Sequence, residues 1–554
     1  MARFPWRLTS TPALAALLFV AGCSSVPSPS TLRDAGPTPP PPRGQAALST
    51  STNAVAMILK PVMDEGGWSA TANLPPVINA RLLVTLAAGL KSANPGEEMD
   101  VAVLLTPAAP ARAVQTTLRV LDTKSTQQAF VGGITNLPAG AISLRILPAG
   151  GRPANLLVDQ CELRALPADE ATGIVEQRNY PGQSPRAAWR TAAAARVEEL
   201  RKAPARVSVL DASGAPVRSA MVELTLLQPA LRIAASSPAT PESPPPRDRL
   251  VNAWLAPVNA TWDGAPPTAP ASPAFLEGGV LLPLSNARNH PLENATLPPA
   301  KKLAALKTRI ATVLAPFAQA EMNWDLSDGL ARHIESLEAL APDALAQLLA
   351  TARKAAPKAK IFLHDYGILE GGPRKLDDFL QKAVELQGSG VRLDGLSITL
   401  EAFREPPSPA EIIARLDHLA AANLPLRIAP LGFVGDFAPE TARAAAADLL
   451  LAVFSQPAVQ SIVIARADQP PWDEVLRNPP GRLKEWIPGM KYKARTDAEG
   501  RILLRVPAGR YAVTVSAPRG LQRAEMSVAQ GAGGSLDVRV PAAAAPKPAA
   551  APAP

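Results

Sequence analysis

Cysteine is nearly absent, with two in 554 residues. They stand at Cys23 and Cys161, and Cys161 has no second thiol or nearby histidine to complete a metal site. Histidine is also scarce: the four residues His290, His333, His364 and His418 show no metal-ligand spacing, so neither zinc or iron chemistry nor a cofactor is expected. Aromatics make up 4% of the chain, which leaves few rings for stacking on a ligand. Basic residues exceed acidic ones, 56 to 48, for a formal charge of +8. They are scattered, however, and no Lys/Arg run is interleaved with aromatics, so a nucleic-acid partner is not expected.

Apolar residues, at 47%, are ample for packed cores, and the length predicts several domains. The 61 prolines concentrate at 37–42, 238–246 and 266–273 and in the tail after Pro541, stretches that cannot sustain a helix or a central strand. The N-terminus reads as an address. Arg3 and Arg7 precede the apolar run Ala13 to Val20, and Val20-Ala21-Gly22 places small residues before Cys23. That run is shorter than the roughly 20 residues of a membrane span. The pattern resembles a bacterial lipoprotein signal over 1–22, which implies lipidation of Cys23 and a membrane partner through the anchor. Ser24 after the cysteine points to the outer membrane of a cell envelope, again by resemblance to lipoproteins.

A Pro-rich linker over 23–50 leads into 51–166, where alternating segments such as Val101 to Leu105 and Ala141 to Leu147 predict a β-sandwich, of jelly-roll type. Its closing Asn155 to Gln160 resembles the last strand of carbohydrate-binding modules, although only Trp68 and Phe130 are available for sugar stacking. Residues 167–226 predict a helix around Trp189 and a hairpin over 206–217. From 227 to 490, apolar strands alternate with amphipathic helices, including a capping box at Ser408-Pro409-Ala410-Glu411, and predict a (β/α)8 TIM barrel. Residues 491–540 predict a small antiparallel β extension, and 541–554 a disordered Ala/Pro tail.

Several segments of the barrel region, taken in order, resemble glycoside hydrolase family 10, the xylanases. Asn323-Trp324-Asp325-Leu326-Ser327-Asp328-Gly329 is similar to the strand that carries the acid/base. His364-Asp365-Tyr366 is similar to an Asn-Asp-Tyr strand end, Asp394-Gly395-Leu396 to an Asp-Gly-Ile, and Pro425 to Leu431 to the strand that carries the nucleophile. Arg288-Asn289-His290 is similar to an Arg-Gly-His, and Val251 to Trp262 keeps an upstream spacing. The resemblance implies an O-glycosyl hydrolase fold and a xylan-like polysaccharide partner, with His290 and Trp262 as candidate substrate contacts.

Retaining glycosidases need two carboxyl groups about 5 to 5.5 Å apart, one to protonate the leaving oxygen and one to attack the anomeric carbon. The matching positions here hold Gly329 and Pro430, which do neither. The sugar-contact positions carry Thr261, Asp328, Thr399, Glu401 and Ala465 in place of the family's residues. The reading is a family 10-like lipoprotein that has lost catalysis and acts in glycan binding or as a scaffold. Two alternatives stand beside it: a glycosidase using the displaced carboxylates Asp328 and Glu401, and a purely structural envelope protein.

Overall fold

The computed structural model describes residues 55–541, apart from 65–66, 92–93, 108–111, 138, 150–154, 237–244, 246, 257–261, 263–275, 286–289, 371, 403–404, 434–436 and 518–519. The expected signal, Cys23, the 23–50 linker, Thr261, Arg288, Asn289 and the tail beyond Pro541 lie outside the described residues.

Alternating burial along the strands builds the N-terminal region. In Glu98–Pro107 every second side chain is buried, among them Val101, Val103 and Leu105. Such period-2 patterning gives a strand one apolar face. Two antiparallel sheets bring those faces together. One orders Val55–Leu59, Leu156–Pro167, Val77–Leu90 and Ser125–Leu137, and the other Val62–Asp64, Gly67–Leu74, Gly140–Pro148, Glu98–Pro107 and Val114–Leu121. Their shared core holds Leu82, Val84, Leu86, Leu144, Ile146 and the thiol of Cys161, which is fully buried. Both aromatics expected to be open to sugar are engaged in structure. Trp68 Nε1 donates to the Leu156 carbonyl at 2.8 Å, and Phe130 is buried with the Arg81 guanidinium 3.6 Å above its ring.

The hairpin expected at 206–217 closes only at its tip, where Asp211 N–H donates to the Ala215 carbonyl at 2.8 Å and Val217 N–H to the Val209 carbonyl at 2.9 Å. Lys202–Leu210 and Met221–Pro229 diverge after the Asp211-Ser213-Gly214 turn and enter different sheets. Lys202–Leu210 lies between Arg501–Pro507 and Gly534–Arg539, while Met221–Pro229 lies between Lys491–Arg495 and Gly509–Ala517. The reason is apolar alternation: Val207, Val209, Val222, Leu224 and Leu226 bury against Tyr511, Val513 and Val515, contributed from the far end of the chain. The segment before the barrel and the β extension after it thus share one core.

Between them runs a parallel sheet in the order Leu276–Glu277, Ala253–Leu255, Arg232–Ser236, Val459–Ile464, Leu426–Phe433, Gly395–Ala402, Lys360–Asp365, Asn323–Ser327 and Val280–Leu282. Its two end strands are halves of one chain segment, 276–282, joined through Gly278-Gly279. Ala256 N–H donates to the Glu277 carbonyl at 2.7 Å on one side, and Gly278 N–H donates to the Asn323 carbonyl at 2.9 Å on the other. The sheet therefore curls back on itself. A Cβ at Gly278 would sit 2.4 Å from both Asn323 O and the Trp324 ring, so glycine permits this close approach.

Helices Pro299–Leu314, Ala344–Ala355, Pro373–Gly388 and Pro409–Ala420 cover the sheet with one buried face each, and Pro439–Ser455, which also packs against the segment holding Tyr180 and Arg190, is buried on more than one side. Proline opens four of them, where its missing N–H costs nothing. The Ser408 capping box is corrected in detail: Ser408 precedes the helix, but its side chain makes no cap bond, and Glu411 pairs with Arg415 one turn on. Residues 176–190 fasten the sandwich to the barrel. Ser184 Oγ donates to buried Asp122 at 2.5 Å, Tyr180 OH donates to Asp448 at 2.7 Å, and Arg190 is salt-bridged to the same Asp448.

Candidate functional site

In a parallel barrel the C-terminal ends of the strands carry the chemistry. At the end of Asn323–Ser327 the chain turns through Asp328 and Gly329 into helix Leu330–Glu338. A Cβ at Gly329 would lie 2.7 Å from Tyr366 Cε1 and 3.0 Å from Ser285 Oγ, so the room a side chain would use is already filled. Tyr366 is itself held in place: Lys375 Nζ donates to its carbonyl at 2.6 Å and stands 4.8 Å over its ring, and its N–H donates to Asp365 at 2.8 Å.

Pro430 lies on Leu426–Phe433, beside a closed polar knot. His364 Nε2 is 3.1 Å from both Thr399 Oγ1 and the Ala429 carbonyl, and Thr399 Oγ1 donates to that carbonyl at 3.3 Å. Because a carbonyl only accepts, Nε2 carries the ring proton. His364 and Thr399 are both buried, which ties three strand ends together where a nucleophile would project.

The two displaced carboxylates part ways. Asp328 is buried and accepts the Ser285 N–H at 2.7 Å, so it holds a loop. Glu401, at the end of Gly395–Ala402, is half-buried, with its carboxylate beside Gly432. Desolvation raises its pKa, with the charge of Arg466 partly offsetting the effect. Its neighbour is Glu370, which sequence reasoning missed. Glu370 Oε1 accepts the Glu401 N–H at 2.8 Å, and its own pKa is raised, first by the protein crowding it and further by the Glu401 charge. The place of Glu370 depends on the loop after Lys360–Asp365, for which the sequence carries no motif.

Both glutamates line a groove of about 620 Å³ between strand ends and sandwich, with Arg119, Glu405 and Arg415. A second groove of about 460 Å³ shares Arg119 and Glu405 and adds Arg178 and Asn179. Arg119 is fixed by a two-pronged pair with Asp100 at 2.8 and 3.1 Å, which raises its pKa. The two grooves share Arg119, Glu405 and Pro406 and form one trough of mixed polar and apolar lining along the junction.

His290 and Trp262 come together, with ring centroids 6.5 Å apart. His290 is 3% exposed and stands edge-on to His333 at 6.1 Å, so it is packed into the wall. Trp262 is half-buried beneath Arg309, whose guanidinium lies 5.1 Å from the ring and donates to the Trp262 carbonyl at 2.6 Å. Ser285 Oγ and His333 Nε2 are 3.0 Å apart.

The interior below this mouth holds an ionic network that no motif announces. Glu277 is fully buried and accepts from Asn323 at 2.7 Å and Ser461 at 2.8 Å, while Arg427 reaches Glu277 at 3.5 Å and Asp325 at 3.6 Å. Arg427 also donates to the carbonyls of Asn323 and Gly278. Among the described residues no His/Cys/Asp/Glu group is arranged to hold a metal ion.

Comparison with known proteins gives one family match: residues 288–473 fit the profile of glycosyl hydrolase family 10. Among solved structures, a mutant of xylanase 10C from Cellvibrio japonicus, complexed with xylopentaose, is 14% identical, with a TM-score of 0.34 over 80% of this chain and 90% of that one. Native xylanase 10B from Thermotoga maritima is 18% identical, with a TM-score of 0.30 over 34% of this chain and 62% of that one. An endoxylanase from a sugarcane soil metagenome is 15% identical, with a TM-score of 0.36 over 43% and 85%. No curated protein is detectably similar to the chain.

Proposed function

Starting from a chain that is xylanase-like, with a glycosyl hydrolase family 10 segment at residues 288–473, we propose that it binds a xylan-like polysaccharide without hydrolysing it. The carrying observation is the filled acid/base position, where the Tyr366 ring lies 2.7 Å from the Cβ that Gly329 lacks. Retaining hydrolysis needs a protonated carboxyl and a carboxylate facing one anomeric carbon. Here one position is occupied by another residue's ring, and the other is Pro430, beside the His364–Thr399–Ala429 knot.

Binding falls to the junction trough, where the Glu405 carboxylate and the guanidinium edges of Arg119 and Arg415 face sugar hydroxyls. Lipidation of Cys23 would hold this trough at the cell envelope. Cys23→Ala is expected to abolish labelling by a fatty-acid analogue and release the protein from membranes. The main test is affinity electrophoresis in xylan gels alongside a reducing-sugar assay. Wild type should be retarded without releasing sugar, and Arg119→Ala with Glu405→Ala should migrate freely. Sugar release by wild type refutes the reading, and neither retention nor release leaves a structural envelope role.

A second reading keeps weak hydrolysis. The observation that favours it is the Glu370–Glu401 neighbourhood, two carboxyl groups of raised pKa in one groove at the strand ends, as acid/base chemistry demands. It expects turnover that disappears in both Glu401→Gln and Glu370→Gln.

A further inference from the structure

We infer that the opposite, N-terminal end of the barrel holds an oxyanion-binding pocket for a carboxylate or phosphate group, built by Arg201, Arg232, Lys358 and Lys360. These four cations line one cavity of about 550 Å³, and Glu321 is the one carboxylate among its lining residues. Like charges gathered around a concave surface focus a positive potential that an anion relieves.

The partners of these cations leave that charge standing. Arg201 is 3% exposed and donates to two carbonyls, Phe454 O at 2.9 Å and Gln456 O, with no carboxylate partner among the described residues. Its burial, with the nearby charge of Arg196, pushes the guanidinium down to about 9. Among the described residues Lys360 Nζ reaches the Gln460 amide oxygen, at 3.5 Å, and neither it nor Lys358 has a carboxylate within salt-bridge distance. Arg232 lies 3.8 Å from Glu277, a carboxylate already shared with Arg427, Asn323 and Ser461.

Three parts of the chain build the pocket. Arg201 ends the helical turn Val197–Arg201, while Arg232, Lys360 and Gln460 stand at the starts of their barrel strands. Gln530 comes from the C-terminal β unit and is anchored to the Pro457 carbonyl at 3.3 Å. The amides of Gln460 and Gln530 add neutral donors to the guanidinium and ammonium groups, the donor set that oxyanions take. Nothing in the pocket depends on the strand ends where Gly329 and Pro430 stand.

The test uses the full chain at constant ionic strength, titrated with inorganic phosphate, with glucuronate and with chloride, and followed by calorimetry and thermal unfolding. One of the two oxyanions should raise the melting temperature above the chloride control, and which one does so identifies the group as phosphate or carboxylate. Lys358→Gln with Lys360→Gln, both exposed so that no core packing is lost, should weaken that binding at least about tenfold. Lys354→Gln, outside the pocket, should bind as wild type, as should the Arg119→Ala, Glu405→Ala trough variant, so the pocket and the glycan reading stand or fall separately. No oxyanion effect beyond chloride, or undiminished affinity in the lysine double variant, overturns the inference.

Discussion

A glutamate placed at position 329 would not find the space that an acid/base requires. The Gly329→Glu side chain must displace the Tyr366 ring, which Lys375 and Asp365 hold from behind. Overpacking of this kind costs about 1–3 kcal/mol. Denaturant unfolding should show that loss, no reducing sugar should appear, and adding Tyr366→Ala should recover part of the stability. Glu401 gives a signed pH test. Its folded pKa lies above the ordinary 4.5, so the folded state binds the proton more tightly than the unfolded state. That contribution favours folding in acid and is lost as pH rises through the folded value. Glu401→Gln should therefore melt higher than wild type at neutral pH, with the gap closing below about pH 4. Cys161 is pushed up to about 12 by burial, and a thiol reagent should modify it only on unfolding. The departures from the family motif at 329 and 430 are read from the sequence itself, because motif order locates them. Tyr366 as the occupant and Glu370 as the neighbour of Glu401 were not, since both depend on a loop path that local pattern does not encode.

The elements divide along the same line between local and distant causes. Helices with one apolar stripe, such as Ala344–Ala355, and short apolar strands, such as Lys360–Asp365, were legible within a few residues. The brief strands Arg232–Ser236 and Ala253–Leu255, flanked by Pro-rich sequence, were not, because too few residues remain to show a period. The turn of the 206–217 hairpin was legible, but the distant partners of the strands around it were not, because alternation declares a buried face without declaring the partner. The barrel's ionic network offers the sharpest test at this scale. Replacing Arg427 by Met leaves Asp325 buried without its cation and Glu277 with Arg232 alone at 3.8 Å, and removing one partner of such a group costs about 3–5 kcal/mol. Urea titration should show that loss, and Glu277→Gln in the Arg427→Met background should restore part of it.

For the molecule as a whole, the consequence lies in how its two ends meet. Truncation after residue 490 removes five strands, every one paired in the two sheets that also contain Lys202–Leu210 and Met221–Pro229. The truncated chain should aggregate or be cleaved near residues 202–229 in limited proteolysis, whereas the full chain should resist. The same interleaving sets a clock during synthesis. Lys202–Leu210 and Met221–Pro229 leave the ribosome long before Lys491–Arg495 and the strands after it, and the whole barrel is translated in between. At 5–20 residues per second the wait is roughly 13 to 50 s. For that interval two apolar strands have open edges and no native partner, so this protein's greatest exposure to misassembly falls before its last strands are made, and a chaperone that covers strand edges would have its target there.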